Sequence, residues 1–112
     1  MAGAITSRLE IIQKKAGVTA REVALLLGTT PETVSRWQTG KTDPQPDNLD
    51  YILQLEYLVG ELSEFYPPEE ARLWLFAPHK LLDGQRPSDL IKRGEFESVL
   101  RIIGQLKDGA FI

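Results

Sequence analysis

Few residues of this chain have the types and spacing that chemistry needs. His79 is the single histidine among 112 residues, and cysteine is absent. His79 stands between Pro78 and Lys80, in a stretch that reads as a surface loop, with no nucleophile motif beside it. A base without a nucleophile and an orienting partner is not enough for acyl or phosphoryl transfer. Glu69 and Glu70 are adjacent at an expected helix start, so their side chains point apart and make a poor acid and base pair. No His-Glu-x-x-His, glycine-rich phosphate loop or metal-spaced His cluster occurs. Neither catalysis, nor a metal, nor a cofactor is expected. What remains is recognition by charged and apolar side chains.

Two stretches carry residues suited to recognition. One runs from Arg21 to Lys41 and sets Arg21, Arg36 and Lys41 beside Thr30, Glu32 and Thr33. The other is the end of the chain. There Lys107-Asp108-Gly109 makes a polar exit, followed by Ala110-Phe111-Ile112, which places two large apolar side chains beside a carboxylate. Terminal segments are usually polar. An apolar tip is either folded back on its own core or presented to a partner, and composition leaves both open.

The first stretch needs helices to position it. Ile5 to Ala16 has Ile5, Leu9 and Ile12 on one helical face, with Gly17 as a stop. Thr19-Ala20-Arg21-Glu22 is a capping box for a second helix, whose buried face is Val23, Ala24, Leu26 and Leu27. Gly28 ends it. Thr30 and Pro31 then suit the N-cap and first position of a third helix over Glu32 to Gln38, with Val34 and Trp37 inward. Gly40, Asp43-Pro44 and Pro46 prevent its continuation. Two short helices joined by a glycine turn after a longer one have the layout of a helix-turn-helix.

These residues resemble the Xre/Cro-like repressor family: Thr19-x-x-Glu22-Val23-Ala24, Gly28-Thr29-Thr30, Val34-Ser35-x-Trp37 and Gly40-Lys41-x-x-Pro44. The resemblance implies that the third helix enters the major groove by its N-terminal end. Glu32, Thr33 and Arg36 would then face base edges, and Thr30, Lys41 and Arg21 would face phosphates. A helical hairpin that only packs would also fit these residues, with Arg36 a solvated charge. Glu32 repels phosphate, so one copy alone is expected to bind DNA weakly and useful affinity to require at least a dimer.

Residues 47–66 read as a long connecting helix capped by Asp47 or Asn48. Ile52, Leu55, Val59, Leu62 and Tyr66 form one stripe, Tyr51, Leu58 and Phe65 a second, and Leu49, Leu53 and Tyr57 a third. A helix so apolar around its circumference must be covered on several sides. Surface left uncovered is a candidate homodimer seam, and a compact monomer that covers everything is the alternative. Gly60 either weakens the helix or admits a close neighbour.

At its end, Tyr66-Pro67-Pro68 breaks the long helix, and Pro68-Glu69-Glu70 opens another through Ala71, Leu73 or Trp74, and Leu75. Leu81 and Leu82 anchor a turn closed by Gly84. Pro87 starts a helix with Leu90 and Ile91 inward, ended by Gly94. Glu95 opens a last helix with Phe96, Val99, Leu100, Ile103 and Leu106 on one face. Trp74 and Phe96 read as core. The fold class expected is all-α: a helix-turn-helix over 1–46, a connecting or dimerisation helix over 47–66, and a small helical bundle with a tail over 67–112.

The stretch from Trp74 to Ile112 resembles the toxin-binding domain of the MbcA/ParS/Xre family of bacterial antitoxins. The resemblance is carried by Ala77-Pro78, Leu81-Leu82-Asp83-Gly84, Arg86-Pro87-x-Asp89-Leu90-Ile91, Gly94-Glu95-Phe96 and the helix ending at Gly109. It extends to the whole chain, because that family carries a helix-turn-helix ahead of the domain. It implies a type II antitoxin that binds a RES-domain, NAD-degrading toxin and represses its own operon through operator DNA. It also implies that the C-terminal end, Lys107 to Ile112, occupies the toxin's active site, with Phe111 as anchor and the carboxylate meeting cations. The expected partners are thus the toxin, operator DNA and a second copy, in a toxin–antitoxin hetero-oligomer. The alternatives are a stand-alone repressor whose C-terminal part only dimerises, and an adaptor without DNA binding.

Composition fits these expectations. The net charge of −3 is uneven: up to Pro46 there are six Lys/Arg against four Asp/Glu, and from Asp47 seven against twelve. A mildly basic front and an acidic back point to different partners, and the acidic excess argues against nucleic acid at the back. The absence of cysteine fits a reducing cytosol. The first ten residues lack the apolar run of a signal peptide, and no stretch is long enough to span a bilayer.

Overall fold

The computed structural model describes residues 3–109. Their regular structure is seven α-helices and one 3₁₀ turn, with no strand among the described residues, so the protein is all-α. The helices are α1 (Gly3–Ala16), α2 (Ala20–Leu27), α3 (Pro31–Thr39), α4 (Pro46–Leu62), α5 (Pro68–Phe76), α6 (Pro87–Lys92) and α7 (Phe96–Lys107), with the 3₁₀ turn at Lys80–Leu82 between α5 and α6.

The front three helices form where their caps demand. The Thr19 hydroxyl accepts from the Glu22 N–H at 3.1 Å, and the Glu22 carboxylate accepts from the Thr19 N–H at 3.0 Å, which completes the capping box. Gly28 closes α2 in the left-handed region at φ 68°, a conformation costly to any residue with a Cβ. The buried side of α2 is Val23, Ala24, Leu26 and Leu27, the four positions expected. α3 buries Val34 and Trp37, and the Thr6 hydroxyl of α1 donates to the Gln38 carbonyl at 2.7 Å, tying α1 to α3.

The long helix differs from expectation at both ends. Pro46 takes its first position and Gln45 precedes it, with no side-chain cap bond, so neither Asp47 nor Asn48 is the cap. It stops at Leu62, a turn before Tyr66. The N–H groups of Phe65 and Tyr66 both bond the Leu62 carbonyl, and the Ser63 hydroxyl donates to Gly60 O at 2.8 Å, so the chain tightens into a turn ahead of Pro67. Leu58 joins Ile52, Leu55, Val59 and Leu62 in the buried stripe, while Tyr66 and Tyr51 pack half-buried at its border. Around Gly60 there is open space rather than a close neighbour.

In the back half, Trp74 and Phe96 are core, as expected. Trp74, not Leu73, faces inward on α5, and in the 3₁₀ turn Leu82 is buried while Leu81 is exposed. α7 buries Phe96, Val99, Ile102 and Ile103, with Leu100 and Leu106 at the edge. The face is rotated from the expected one because α7 is covered by α4, α6 and the 3₁₀ turn together, which draws Ile102 inward.

The two halves share one hydrophobic cluster that runs from Leu9 to Ile103. α1 lies against α4 and α5, α2 against α3 and α6, and α4 against α7. Two glycines allow this closeness. A Cβ at Gly17, where φ is 64°, would sit 2.5 Å from the Pro68 carbonyl oxygen. At Gly94, where φ is 80°, it would overlap the Tyr51 hydroxyl, whose ring meets Phe96 edge-on at 5.6 Å.

Candidate functional site

The exposed face of α3 collects most of the residues that the front half offers for recognition. Thr30 caps the helix: its hydroxyl accepts from the Thr33 N–H at 3.2 Å and lies 2.8 Å from the Thr33 hydroxyl. Both hydroxyls are therefore oriented at the helix N-terminus, where N–H groups and the helix dipole favour an anion. Glu32 and Arg36 follow at i and i+4 spacing on one side. With Pro31, Ser35, Thr39 and Lys41 they line a shallow concavity. Gly40 lies in the left-handed region, and Lys41 is held there by its N–H bond to the Arg36 carbonyl at 2.9 Å. Arg21 is set apart, on the outer side of α2 with Leu25, beside the turn at Gly28–Pro31. Thr30, Glu32, Thr33, Arg36 and Lys41 are thus brought together, and Arg21 flanks them. Ser35 and Thr39 belong to the same surface; their spacing from Glu32 and Arg36 is the signal in the sequence that points to them.

The second surface lies at the C-terminal end of α7. Lys107, Asp108 and Gly109 are exposed. Lys107 hydrogen-bonds the Glu61 carboxylate of α4, which raises its ammonium above the ordinary value, and Glu64 and Tyr57 lie close enough to add to that field. Lys107 therefore ties the end of α7 to α4. Ala110, Phe111 and Ile112 lie outside the described residues. Next to this exit α4 carries exposed Tyr57 (61%) and, one turn earlier, Leu53 (38%), from the third apolar line of the sequence. Leu73 (63%) and Leu81 (55%) are further exposed apolar side chains of the back half, which the sequence assigned to helix and turn anchors.

His79 is not a free loop side chain. It is half-buried, its ring 4.7 Å from that of Trp74 and its Nε2 2.9 Å from the Trp74 carbonyl oxygen. A single hydrogen bond to its own neighbouring turn is the role of a packing residue. Glu69 and Glu70 are both exposed on the first turn of α5. Among the described residues no group of three or more His, Asp or Glu is placed to hold a metal ion. None of their helices is long and apolar enough to cross a membrane.

An ion pair joins the two halves. The Arg72 guanidinium of α5 donates from Nε to the Glu22 carboxylate at 3.2 Å and engages its second oxygen through a terminal nitrogen. This bond from Arg72 is the main cause that holds the Glu22 carboxyl below its usual range; burial opposes it, and the Thr19 N–H adds to it. The same carboxylate thus caps α2 and fastens it to the back half.

Comparison with known proteins decides what kind of molecule this is. Residues 54–109 match the model of the antitoxin Xre/MbcA/ParS C-terminal toxin-binding domain, and residues 10–54 match a helix-turn-helix model. The chain belongs to the Xre/MbcA/ParS antitoxin family. It is 33% identical over 99 residues to the mycobacterial cidal antitoxin MbcA of Mycobacterium tuberculosis (strain ATCC 25618 / H37Rv), with 88% of each chain covered, and equally similar to MbcA of Mycobacterium bovis. It superimposes on a chain of the crystal structure of the M. tuberculosis MbcT–MbcA toxin–antitoxin complex with a TM-score of 0.82, at 32% identity and 96% coverage of both chains. The arrangement found here, a helix-turn-helix packed on a toxin-binding helical domain, is therefore that of an antitoxin of this family.

Proposed function

We propose that this protein neutralises a partner toxin by direct binding, that the toxin is a RES-domain enzyme that degrades NAD, and that the C-terminal end of the antitoxin blocks its active site. The observation that carries the reading is the match, across nearly the whole chain, to a chain of a toxin–antitoxin complex. The root of the tail supports the mode of action. Lys107 anchors the end of α7 through Glu61, so that the segment from Asp108 onward starts from a fixed point. A short segment held at its root loses less freedom on entering a cleft than a free peptide would. Phe111 is the apolar anchor of that segment.

The same protein represses its own operon through α3, with Glu32, Thr33 and Arg36 at base edges and Arg21, Thr30 and Lys41 at phosphates. Two copies associate through the Leu53–Tyr57 stripe of α4, which leaves α3 of each free for one half-site.

Co-expression with the neighbouring gene product, followed by purification and a measurement of NAD consumption, tests the central reading. A stable complex without NAD-consuming activity is expected. A protein lacking Phe111 and Ile112 should still bind but release that activity; full protection by the truncated chain overturns the blocking role of the tail. Absence of a complex overturns the antitoxin reading itself.

A further inference from the structure

We propose that Lys92, from the toxin-binding domain, is part of the DNA-contacting surface, so that both halves of the chain hold the operator. The inference rests on the reading of α3 as the DNA-facing helix. The acidic balance of the back half argues against nucleic acid there, and packing sets one of its cations apart from that balance. The last residue of α6 reaches the helix-turn-helix: a Cβ added at Gly28 would lie 3.5 Å from the Lys92 carbonyl oxygen and 3.6 Å from its Cγ. Lys92 is exposed beyond that contact. It lines a groove with Arg21, Leu25, Thr30 and Pro31.

That groove and the α3 concavity meet at Pro31, the first residue of α3, which lines both. Arg36 and Lys41 stand on one side of the junction, Arg21 and Lys92 on the other. The combined surface carries these four cations against a single carboxylate, Glu32, in a chain whose net charge is −3. None of the four is engaged by a carboxylate in an ion pair among the described residues, whereas Arg8, Arg72, Arg93 and Lys107 are. Cations left free on either side of a helix N-terminus suit the phosphates that border a major groove about 12 Å wide. Lys92 thus offsets part of the repulsion that Glu32 brings to the same helix end.

The test is titration of a labelled duplex from the region upstream of the gene, followed by fluorescence anisotropy at several salt concentrations. The proteins are the wild type, Lys92→Gln, Lys80→Gln and Arg36→Ala. Gln keeps the stem that lies along Gly28 and removes the charge. Lys92→Gln should weaken binding to all sequences alike and lower the slope of log affinity against log salt by about 0.9 per bound copy. The wild-type advantage over it should then shrink about threefold between roughly 50 and 200 mM salt. Lys80→Gln, outside both grooves, should match the wild type. Arg36→Ala should lose preference for the operator over an unrelated duplex. If the wild type binds and Lys92→Gln gives the same affinity and slope, Lys92 is no phosphate contact, and the inference falls while the reading of α3 stands. If the wild type itself does not bind, or Arg36→Ala keeps full preference, the reading of α3 falls and takes the inference with it.

Discussion

At the scale of single residues, the glycines separate into those the fold requires and those it tolerates. Gly94 has a left-handed backbone and the Tyr51 hydroxyl where a Cβ would be. Gly94→Ala should therefore lower stability by more than about 1 kcal/mol, since backbone strain adds to displacement of Tyr51. Gly60 lies inside α4, and a methyl placed on its Cα would meet nothing within 4 Å. Gly60→Ala should raise stability by about 0.5 kcal/mol, the lower end of the helix-interior effect because the helix ends two residues later. Urea unfolding of the two variants checks both signs at once, and a destabilised Gly60→Ala would mean that a partner packs there. Both glycines are visible in the sequence, but only as a helix stop and a weak point. What distinguishes them is Tyr51, brought to Gly94 by packing of α4 on the α6–α7 turn, and no local pattern records that. His79 differs: its place on Trp74, five residues back, is a local contact made at the start of the turn at Lys80–Leu82, and no residue type in that stretch signals it.

At the scale of helices, what is legible in the sequence is what is local. Capping residues and glycine stops place α2 and α3 because their hydrogen bonds span three or four residues. Periodicity finds the buried side of α2 completely, although α1, α3, α4 and α6 all touch that helix. It places the face of α7 imperfectly: α4, α6 and the 3₁₀ turn pack so that Ile102 is buried where a single stripe would leave it out. The C-terminal end of α4 escapes it for a different reason: Ser63 and the Leu62 carbonyl close the turn through bonds that compete with helix continuation. The capping box of α2 gives two predictions. Thr19→Ala removes the hydroxyl that holds the Glu22 N–H and should cost about 1 kcal/mol in urea unfolding. Glu22→Gln retains a residue that can cap but loses the charge that Arg72 engages. The folded state holds the Glu22 carboxyl below its ordinary value, so this group's stabilisation is fully present above the ordinary carboxylate range and fades as pH falls through the lowered value. Glu22→Gln should therefore be less stable than the wild type at pH 7, and the difference should disappear in acid. A difference that persists unchanged in acid would assign the effect to the cap rather than to the ion pair.

At the scale of the whole molecule, two matched family segments meet at residue 54, in the middle of α4, and the core ignores that junction. α1 and α2 complete their burial against α5 and α6, Gly17 touches the backbone of Pro68, and Glu22 is bonded to Arg72. A front half cut away would expose buried side chains of α1 and α2 on the sides these helices cover, and each large aliphatic side chain returned to water costs about 1.5–3 kcal/mol. A chain this short has little stability to lose in that way. The two halves should therefore unfold as one cooperative unit rather than as beads on a common helix. The two tryptophans allow a direct check, because Trp37 lies in the front half and Trp74 in the back, both buried. Trp74→Phe leaves Trp37 as the only indole reporter; Trp37→Phe leaves Trp74. The first substitution also removes an indole N–H that is buried with no hydrogen-bond partner among the described residues, so it forfeits no bond. In each single-tryptophan variant, the urea transition seen by fluorescence should coincide with that seen by far-ultraviolet circular dichroism. Divergence of the two probes, with the front-half signal lost at lower urea, would show that the helix-turn-helix can detach on its own. The contact surfaces at Gly17, Gly28 and Arg72 would then hold it in place without determining whether it folds.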